Sequence, residues 1–173
     1  PSVTYGNTKK FLEILKEANV TFPYECESIL RKDSLDLTDA DRRTLYEKIR
    51  SDSHERIVIT HGTDTMDITA QELQSIRDKV IVLTGAMQPA KFRSSDAEFN
   101  VGFAVAAVQS LPYGVYMAMN GQIFHPGRYA LDAASISLYM FQASSIGRLV
   151  VGSLKMAWKA RSLSAASAAS PWW

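Results

Sequence analysis

Three short apolar runs, separated by helical patterns, constrain the fold of this chain more than any other feature. The runs are Arg56–Thr60, Val80–Thr84 and Gly114–Met119, and the helical patterns between them cover about 67–77 and 95–110. Short strands that alternate with helices of this length are typical of βαβ units, in which helices join and cover parallel strands. We therefore predict a single-domain α/β fold: a three-layer parallel sheet with helices on both faces, flavodoxin- or Rossmann-like.

Two further helices are predicted closer to the amino terminus. Asn7-Thr8 precede apolar residues at helical spacing (Phe11, Ile14, Leu15 and Ala18), and Thr38 precedes a second such run with acidic residues in its first turn. Asn and Thr cap helices through their side-chain oxygens, and acidic residues stabilise the first turn. Residues 20–30, between the two helices, predict a connection with a short strand.

Composition excludes several classes of protein. The 173 residues are 46% hydrophobic and 21% charged, which excludes wholesale disorder, and the net charge of +1 gives no general attraction to nucleic acid or anionic membranes. The single cysteine, Cys26, excludes an intrachain disulfide and a cysteine-based zinc site. The first residues lack the charged and apolar regions of a secretion signal. We expect a cytoplasmic protein without nucleic-acid or membrane partners.

The composition changes after Asp132. Residues 1–132 contain all 18 acidic residues and 15 basic ones, whereas residues 133–173 contain four basic residues, no acid and all three tryptophans. Such a shift indicates a separate structural unit, a flexible extension or a stretch under other constraints. Within this tail, residues 148–161 leave a terminal helix as an alternative.

The predicted helix 95–110 is apolar nearly all round. Phe99, Phe103 and Ala106 lie on one side, with Val101 and Val105 on another. A helix of this kind is either deeply buried or covered by a second subunit, so a homodimer or larger assembly is one of two open interpretations.

Two loops that follow strands predict a ligand site. Thr60-His61-Gly62-Thr63-Asp64-Thr65-Met66 follows the first strand, and Thr84-Gly85-Ala86 ends the second. Ligands of open α/β sheets bind at the carboxyl ends of the strands, and glycine lets the backbone approach a ligand closely. The alternative is that Thr65 or Asp67 is an ordinary helix cap.

Other kinds of site are disfavoured by the motifs. The three histidines, His54, His61 and His125, lack metal-ligand spacing with carboxylates or with the cysteine. The chain contains no Gly-x-Gly-x-x-Gly, Walker or Gly-x-Ser-x-Gly motif, which disfavours dinucleotide binding, nucleotide binding and serine-hydrolase chemistry.

The loop at 60–66 resembles the second signature of the bacterial-type L-asparaginases and glutaminases. Leu83–Pro89, Ser95–Asn100 and Gly114–Asn120 also match the family's run, so the resemblance covers roughly residues 2–126 and leaves 127–173 as a tail. It implies the amino-terminal domain of a short-chain subgroup that lacks the smaller second domain. The implied activity is hydrolysis of L-asparagine, with L-glutamine as a second candidate substrate, without metal or organic cofactor.

The resemblance also implies roles for individual residues. A threonine hydroxyl attacks the side-chain amide and forms an acyl-enzyme that water hydrolyses, and a base and a positive charge activate it. Thr63 and Asp64 match two members of the family's Thr–Asp–Lys group. By the same matching, Asp64 holds the substrate's amino group, Ser34 its carboxylate and Ala86 its amide.

Two departures from the family pattern affect these expectations. The family's first strand is glycine-rich, with the motif Thr-Gly-Gly-Thr-Ile, and carries the primary nucleophile. It is expected some 20 residues before Tyr5. We therefore expect a central strand to be missing from the sheet. The family's lysine position falls on Leu131, while Lys155 or Lys159 could reach in from the tail.

Two further interpretations stay open beside the amidohydrolase. One is a non-catalytic relative that binds aspartate or asparagine through Ser34 and Asp64. The other is an interaction protein whose basic, tryptophan-ended tail docks onto a partner or an anionic surface.

Overall fold

The computed structural model describes residues 2–5, 8–87, 95–127, 129–132, 137–140, 151–152 and 155–156 of the chain, with side chains for 9–87 and 95–127. The chain divides into two compact units, residues 1–142 and residues 143–173. The boundary predicted from the resemblance, at 126/127, lies inside the first unit.

The first unit contains eight described strands and four α-helices. The strands are β1 (Ser2–Tyr5), β2 (Tyr24–Glu27), β3 (Arg56–Thr60), β4 (Val80–Thr84), β5 (Gly114–Met119), β6 (Gln122–Phe124), β7 (Tyr129–Asp132) and β8 (Ser137–Met140). The helices are α1 (Thr8–Glu17), α2 (Asp39–Ser51), α3 (Met66–Leu73) and α4 (Ala97–Ser110), with short 3₁₀ turns at Ser34–Asp36 and Thr63–Thr65.

Six strands form one sheet in the order β2-β1-β3-β4-β5-β6. The first five are parallel, which confirms the predicted α/β sheet, and β6 pairs antiparallel with β5. The antiparallel edge follows from Asn120 and Gly121, which both have positive φ (50° and 71°) between the paired residues Met119 and Gln122. An Asn-Gly pair of this kind is a strong hairpin signal, which the prediction of an all-parallel sheet overlooked.

The sheet has no gap beside β3. The expectation of a missing central strand is wrong for this structure, because Ser2–Tyr5 forms β1 and pairs in parallel with both β2 and β3. Val3, Thr4 and Tyr5 are residues that favour extended backbone, and α1 supplies the crossover to β2. The position is thus filled by a strand without the Thr-Gly-Gly-Thr-Ile motif.

The helices cover both faces of the sheet. On one face α2 and α3 pack Leu45, Ile49 and Leu73 against the strands, and on the other α1 and α4 pack Phe11 and Val101. Every residue of β4 is buried, as expected for a central strand covered on both sides. The Thr38 cap predicted at the start of α2 is present, and the structure shows it as a capping box: Thr38 Oγ1 accepts from Asp41 N, and Asp41 Oδ2 accepts from Thr38 N.

Helix α4 is apolar all round but buried on one side only. Val101, Ala104 and Val108 face the sheet, whereas Phe99 is 61% exposed and stacks on Phe103 with ring centroids 6.5 Å apart. Among the described residues nothing buries the Phe99 side of this helix, and cover by a second subunit stays a prediction.

The second unit contains β9 (Val151–Gly152) and β10 (Lys155–Met156), which pair antiparallel. The terminal helix considered for 148–161 is wrong for these described residues. A helix there would place Gly152 in its interior, which costs about 1 kcal/mol relative to alanine. The three tryptophans of the tail lie outside the described residues.

Candidate functional site

A cavity of about 750 Å³ opens at the carboxyl ends of the parallel strands. Its lining includes residues 60–62 at the end of β3, residues 84–86 at the end of β4, Lys9 and Lys10 of α1, and Ser34. In the order β2-β1-β3, successive strands are added on opposite sides of β1. Such a switch point is where open α/β sheets bind ligands, so the cavity lies at the sheet edge predicted for the site.

Local hydrogen bonds hold the turn that carries Ser34. Asp33 caps the 3₁₀ turn, with its Oδ1 accepting from Leu35 N at 3.0 Å. Lys32 Nζ donates to both carboxylate oxygens of Asp41 at 2.8 and 2.9 Å, which ties the turn to the start of α2. Ser34 is consequently buried, at 5% exposed, although it lies in a loop.

The turn of Ser34 packs directly on the turn of Asp64. The Ser34 hydroxyl donates to Asp64 Oδ2 at 3.4 Å, and Thr65 Oγ1 donates to the Ser34 carbonyl at 2.7 Å. A Cβ added at Gly62 would overlap the Cβ and Oγ of Ser34. Glycine at 62 is therefore needed for close approach of the two turns, and Thr65 bridges the turns instead of capping α3.

The structure places the four predicted site residues in two groups. Ser34 and Ala86 line the cavity, whereas Thr63 and Asp64 lie beside it on the 3₁₀ turn that follows Gly62. Thr63 is half-buried, and Asp64 is exposed rather than buried as its expected role implied. The reason is that the turn starts beyond the end of β3, where its outer side faces solvent.

The loop that carries Ala86 is held by a buried asparagine. Asn100, which is 0% exposed, donates from Nδ2 to the Gly85 carbonyl at 3.0 Å, and its Oδ1 accepts from Asn120 N at 2.8 Å. Its Nδ2 also donates to Asp96 Oδ2, which accepts from Met87 N. Sequence reasoning missed this role, although an asparagine in an otherwise apolar helix is a signal of a satisfied polar contact.

His61 is a second residue that sequence reasoning missed. Its Nδ1 lies 2.6 Å from the Gly62 carbonyl oxygen and its Nε2 lies 2.9 Å from Thr69 Oγ1. Burial, together with the nearby positive charge of Arg42, lowers the pKa of His61 below its ordinary range. The imidazole is therefore neutral at pH 7. The spacing of the histidines in the sequence addresses metal binding and gives no signal of this contact.

The lysine expected beside Thr63 and Asp64 is not supplied by the matching position. Leu131 lies in β7, and Lys155 lies in β10 of the second unit. Lys159 lies outside the described residues. Among the described residues, the hydrogen-bond partner of the Asp64 carboxylate is Ser34.

Two features are absent from the part of the chain that the structure describes. No group of three or more His, Cys, Asp or Glu side chains there is arranged to hold a metal ion. No helix in the same part of the chain is both long and apolar enough to cross a bilayer.

Comparison with known protein families identifies the family that has this fold and loop pattern. The family model described as "Asparaginase, N-terminal" matches residues 2–162. The chain belongs to the asparaginase family. The match continues past Pro126, where the residue-by-residue resemblance had ended, and it includes β7 and β8.

Individual relatives agree with the family assignment. The glutaminase-asparaginase of Acinetobacter glutaminasificans is 37% identical over 133 residues, which are 73% of this chain and 39% of that protein. L-asparaginase 2 of Escherichia coli is 34% identical over 130 residues, 71% of this chain and 37% of that protein. The crystal structure of a probable cytoplasmic L-asparaginase from Campylobacter jejuni matches with a TM-score of 0.67 at 28% identity, covering 75% of this chain and 47% of that one. The chain thus spans less than half the length of these asparaginase-family proteins.

Proposed function

We propose that this chain carries the substrate site of an asparaginase-type amidohydrolase, which hydrolyses L-asparagine to L-aspartate and ammonia, with L-glutamine as a second substrate. The observation that carries the proposal is the cavity at the switch point of the sheet, lined by Ser34, Gly62 and Ala86 in a member of the asparaginase family. Its mostly apolar lining with a few polar groups, Ser34 among them, is typical of sites that bind small molecules.

The proposed chemistry uses a threonine acyl-enzyme. The Thr63 hydroxyl attacks the side-chain amide carbon, its proton goes to the leaving nitrogen, and ammonia departs as the C–N bond breaks. Water then attacks the resulting ester, which releases aspartate and regenerates the hydroxyl. In the same proposal Asp64 holds the substrate ammonium, Ser34 its α-carboxylate and the Ala86 carbonyl its side-chain amide.

A second candidate function is non-catalytic binding of aspartate or asparagine in the same cavity. Two observations favour it: Thr63 lies beside the cavity rather than on its wall, and the hydrogen-bond partner of Asp64 in the described structure is a serine, not a lysine. A carboxylate alone is a weak base for an alcohol, because its negative charge opposes formation of the alkoxide.

One experiment separates the two candidates. Purified protein is incubated with asparagine or glutamine, ammonia is measured, and aspartate binding is measured by calorimetry. Ammonia release that is lost in Thr63→Ala supports the amidohydrolase. Aspartate binding without ammonia release supports the binding module, and the absence of both contradicts the assignment of the cavity.

We predict that Asp64→Ala weakens aspartate binding at least about tenfold, because a hydrogen bond to a charged group contributes about 1.5–3 kcal/mol. Asp64 is exposed in the free protein. The loss of affinity therefore comes from the missing contact with the ligand's ammonium group, and not from breaking a buried ion pair. Asp36→Ala, which removes an exposed carboxylate from the adjacent 3₁₀ turn, is the matched control. Equal affinities for the two variants would remove Asp64 from the site.

We also propose a cytoplasmic location, supported by the single free cysteine and by the Campylobacter jejuni relative, a probable cytoplasmic L-asparaginase. A reducing compartment is where proteins without disulfides are common. Expression of a tagged chain followed by cell fractionation tests the location.

A homodimer or larger assembly is the third part of the proposal. It is supported by the exposed apolar side of α4, where Phe99 and Phe103 stack. We expect Phe99→Lys to shift the sedimentation coefficient toward the monomer at micromolar concentration. Ile68→Lys, which charges another exposed apolar side chain (52% exposed) on α3 at the other face of the sheet, is the control. A monomeric wild type, or two variants with the same sedimentation, would contradict this interface.

A further inference from the structure

A buried arginine lies behind the proposed site. Arg42 is only 7% exposed; its Nε donates to Thr69 Oγ1 at 3.3 Å and one terminal nitrogen donates to the Leu37 carbonyl at 3.0 Å. The same terminal nitrogen lies 3.4 Å from the exposed carboxylate of Asp39. Burial of a guanidinium is costly unless its donors are used, so this contact with Thr69 is part of how the charge is accommodated.

The hydrogen bonds that continue from Thr69 have a single consistent direction. The Gly62 carbonyl can only accept, so His61 Nδ1, at 2.6 Å from it, must carry a proton. A neutral ring then has no proton on Nε2, which must accept from Thr69 Oγ1 at 2.9 Å. Thr69 in turn accepts from Arg42, which has no acceptor atom of its own.

The end of this chain of hydrogen bonds is the peptide between Gly62 and Thr63. The carbonyl of Gly62 and the amide of Thr63 share one rigid plane. Holding that carbonyl therefore orients the first residue of the Thr63–Asp64 turn. The neighbouring contact from Thr65 to Ser34 holds the other end of the same turn.

We propose that Arg42, Thr69 and His61 form a directed hydrogen-bonded chain that positions the Thr63–Asp64 turn, in which the Gly62 carbonyl sets the tautomer of His61 and Thr69 holds the ring through Nε2. The inference rests on the proposed function for the importance of that turn. Of the three residues, His61 lines the cavity. Arg42 and Thr69 are positioning residues that act through His61.

The first measurement is the protonation of the His61 ring in the wild type, by NMR of protein labelled with ¹⁵N-histidine. We expect a proton on Nδ1 and none on Nε2 at neutral pH. A His61 ring that carries its proton on Nε2 would overturn the proposal. This reading needs neither a variant nor a bound ligand, so it holds even if the proposed function fails.

The second measurement compares three variants of the folded protein. Thr69→Val keeps the side-chain shape but removes the hydroxyl, Thr69→Ser restores it, and Thr44→Val removes a hydroxyl that binds the Ala40 carbonyl at an exposed site in α2. In Thr69→Val we expect a His61 ring still protonated on Nδ1, shifted amide signals of Thr63 and Asp64 because Nε2 has lost its partner, and aspartate affinity lower by up to roughly tenfold, the scale of one lost hydrogen bond. Only the first of these three should equal the wild type. Thr69→Ser and Thr44→Val should match the wild type in all three.

The outcomes separate this inference from the proposed function. Thr63 and Asp64 amide signals unchanged in Thr69→Val would overturn the positioning role, whatever the affinity. A wild type that neither binds aspartate nor releases ammonia contradicts the proposed function, while the tautomer and the amide shifts still decide the positioning. If Thr69→Val does not fold, the wild-type tautomer and the Thr69→Ser spectrum decide it.

Discussion

Joining a strand that carries Thr-Gly-Gly-Thr-Ile to the amino end of this chain is expected to raise asparagine turnover by on the order of 10⁴-fold. Removing the nucleophile of an enzyme lowers its activity on this scale. The 173 residues contain no such motif, and Thr63 is flanked by a carboxylate without a lysine among the described contacts. A hydroxyl without a nearby base and positive charge is a poor nucleophile at neutral pH.

The structure adds a condition to this expectation. The place beside β3 is already taken by Ser2–Tyr5, so the added strand must displace it from its pairing with β2 and β3. The assay compares both chains at saturating asparagine, each with and without Thr63→Ala. An extended strand in which the first threonine is alanine is the matched control. Full activity of the original chain that survives Thr63→Ala would show that another residue is the nucleophile.

Replacing Gly62 by alanine is expected to lower the free energy of unfolding by about 1–3 kcal/mol, the usual cost of overpacking a well-packed site. The backbone at Gly62 has φ −68° and ψ 144°, which any residue adopts, so the cost is steric. The added Cβ would meet both the Cβ and the Oγ of Ser34, and Ser34 is buried with little room to move. Aspartate affinity should fall as well, because Ser34 would move away from Asp64.

Gly102→Ala is the matched control for this variant. A Cβ at Gly102, in the interior of α4, meets nothing within 4 Å, so alanine there should stabilise the protein by about 1 kcal/mol through helix propensity. Urea unfolding of the three proteins gives both values. A Gly62→Ala protein as stable as the wild type would contradict the close packing of the Ser34 and Asp64 turns.

Elements with a strong local signal were predicted well. The strands β3, β4 and β5 have the bounds predicted from their apolar runs, and Thr38 and Asp41 form a capping box at the predicted helix start. These signals are local. An apolar run between turns defines one strand, and a helix cap contacts a residue three positions away in the same helix. The roles of the site residues stay predictions, and local signals could not place all of these residues relative to the cavity. The resemblance to the family named Ser34 and Ala86, and both line the cavity. The exposure of Asp64 depends on the direction of the turn after β3, which the sequence does not show.

The sequence by itself determined the alternation of strands and helices, the loops at their carboxyl ends and the family that these loops indicate. Only the tertiary structure decided which strand fills the place beside β3, that Ser34 meets Asp64 from 30 positions away, and that Arg42 is buried against Thr69. In the sequence Arg42 is one charge among several at the start of a helix. Its burial, like the contact of the two turns, depends on sheet register and helix packing, which bring together residues with no shared local pattern.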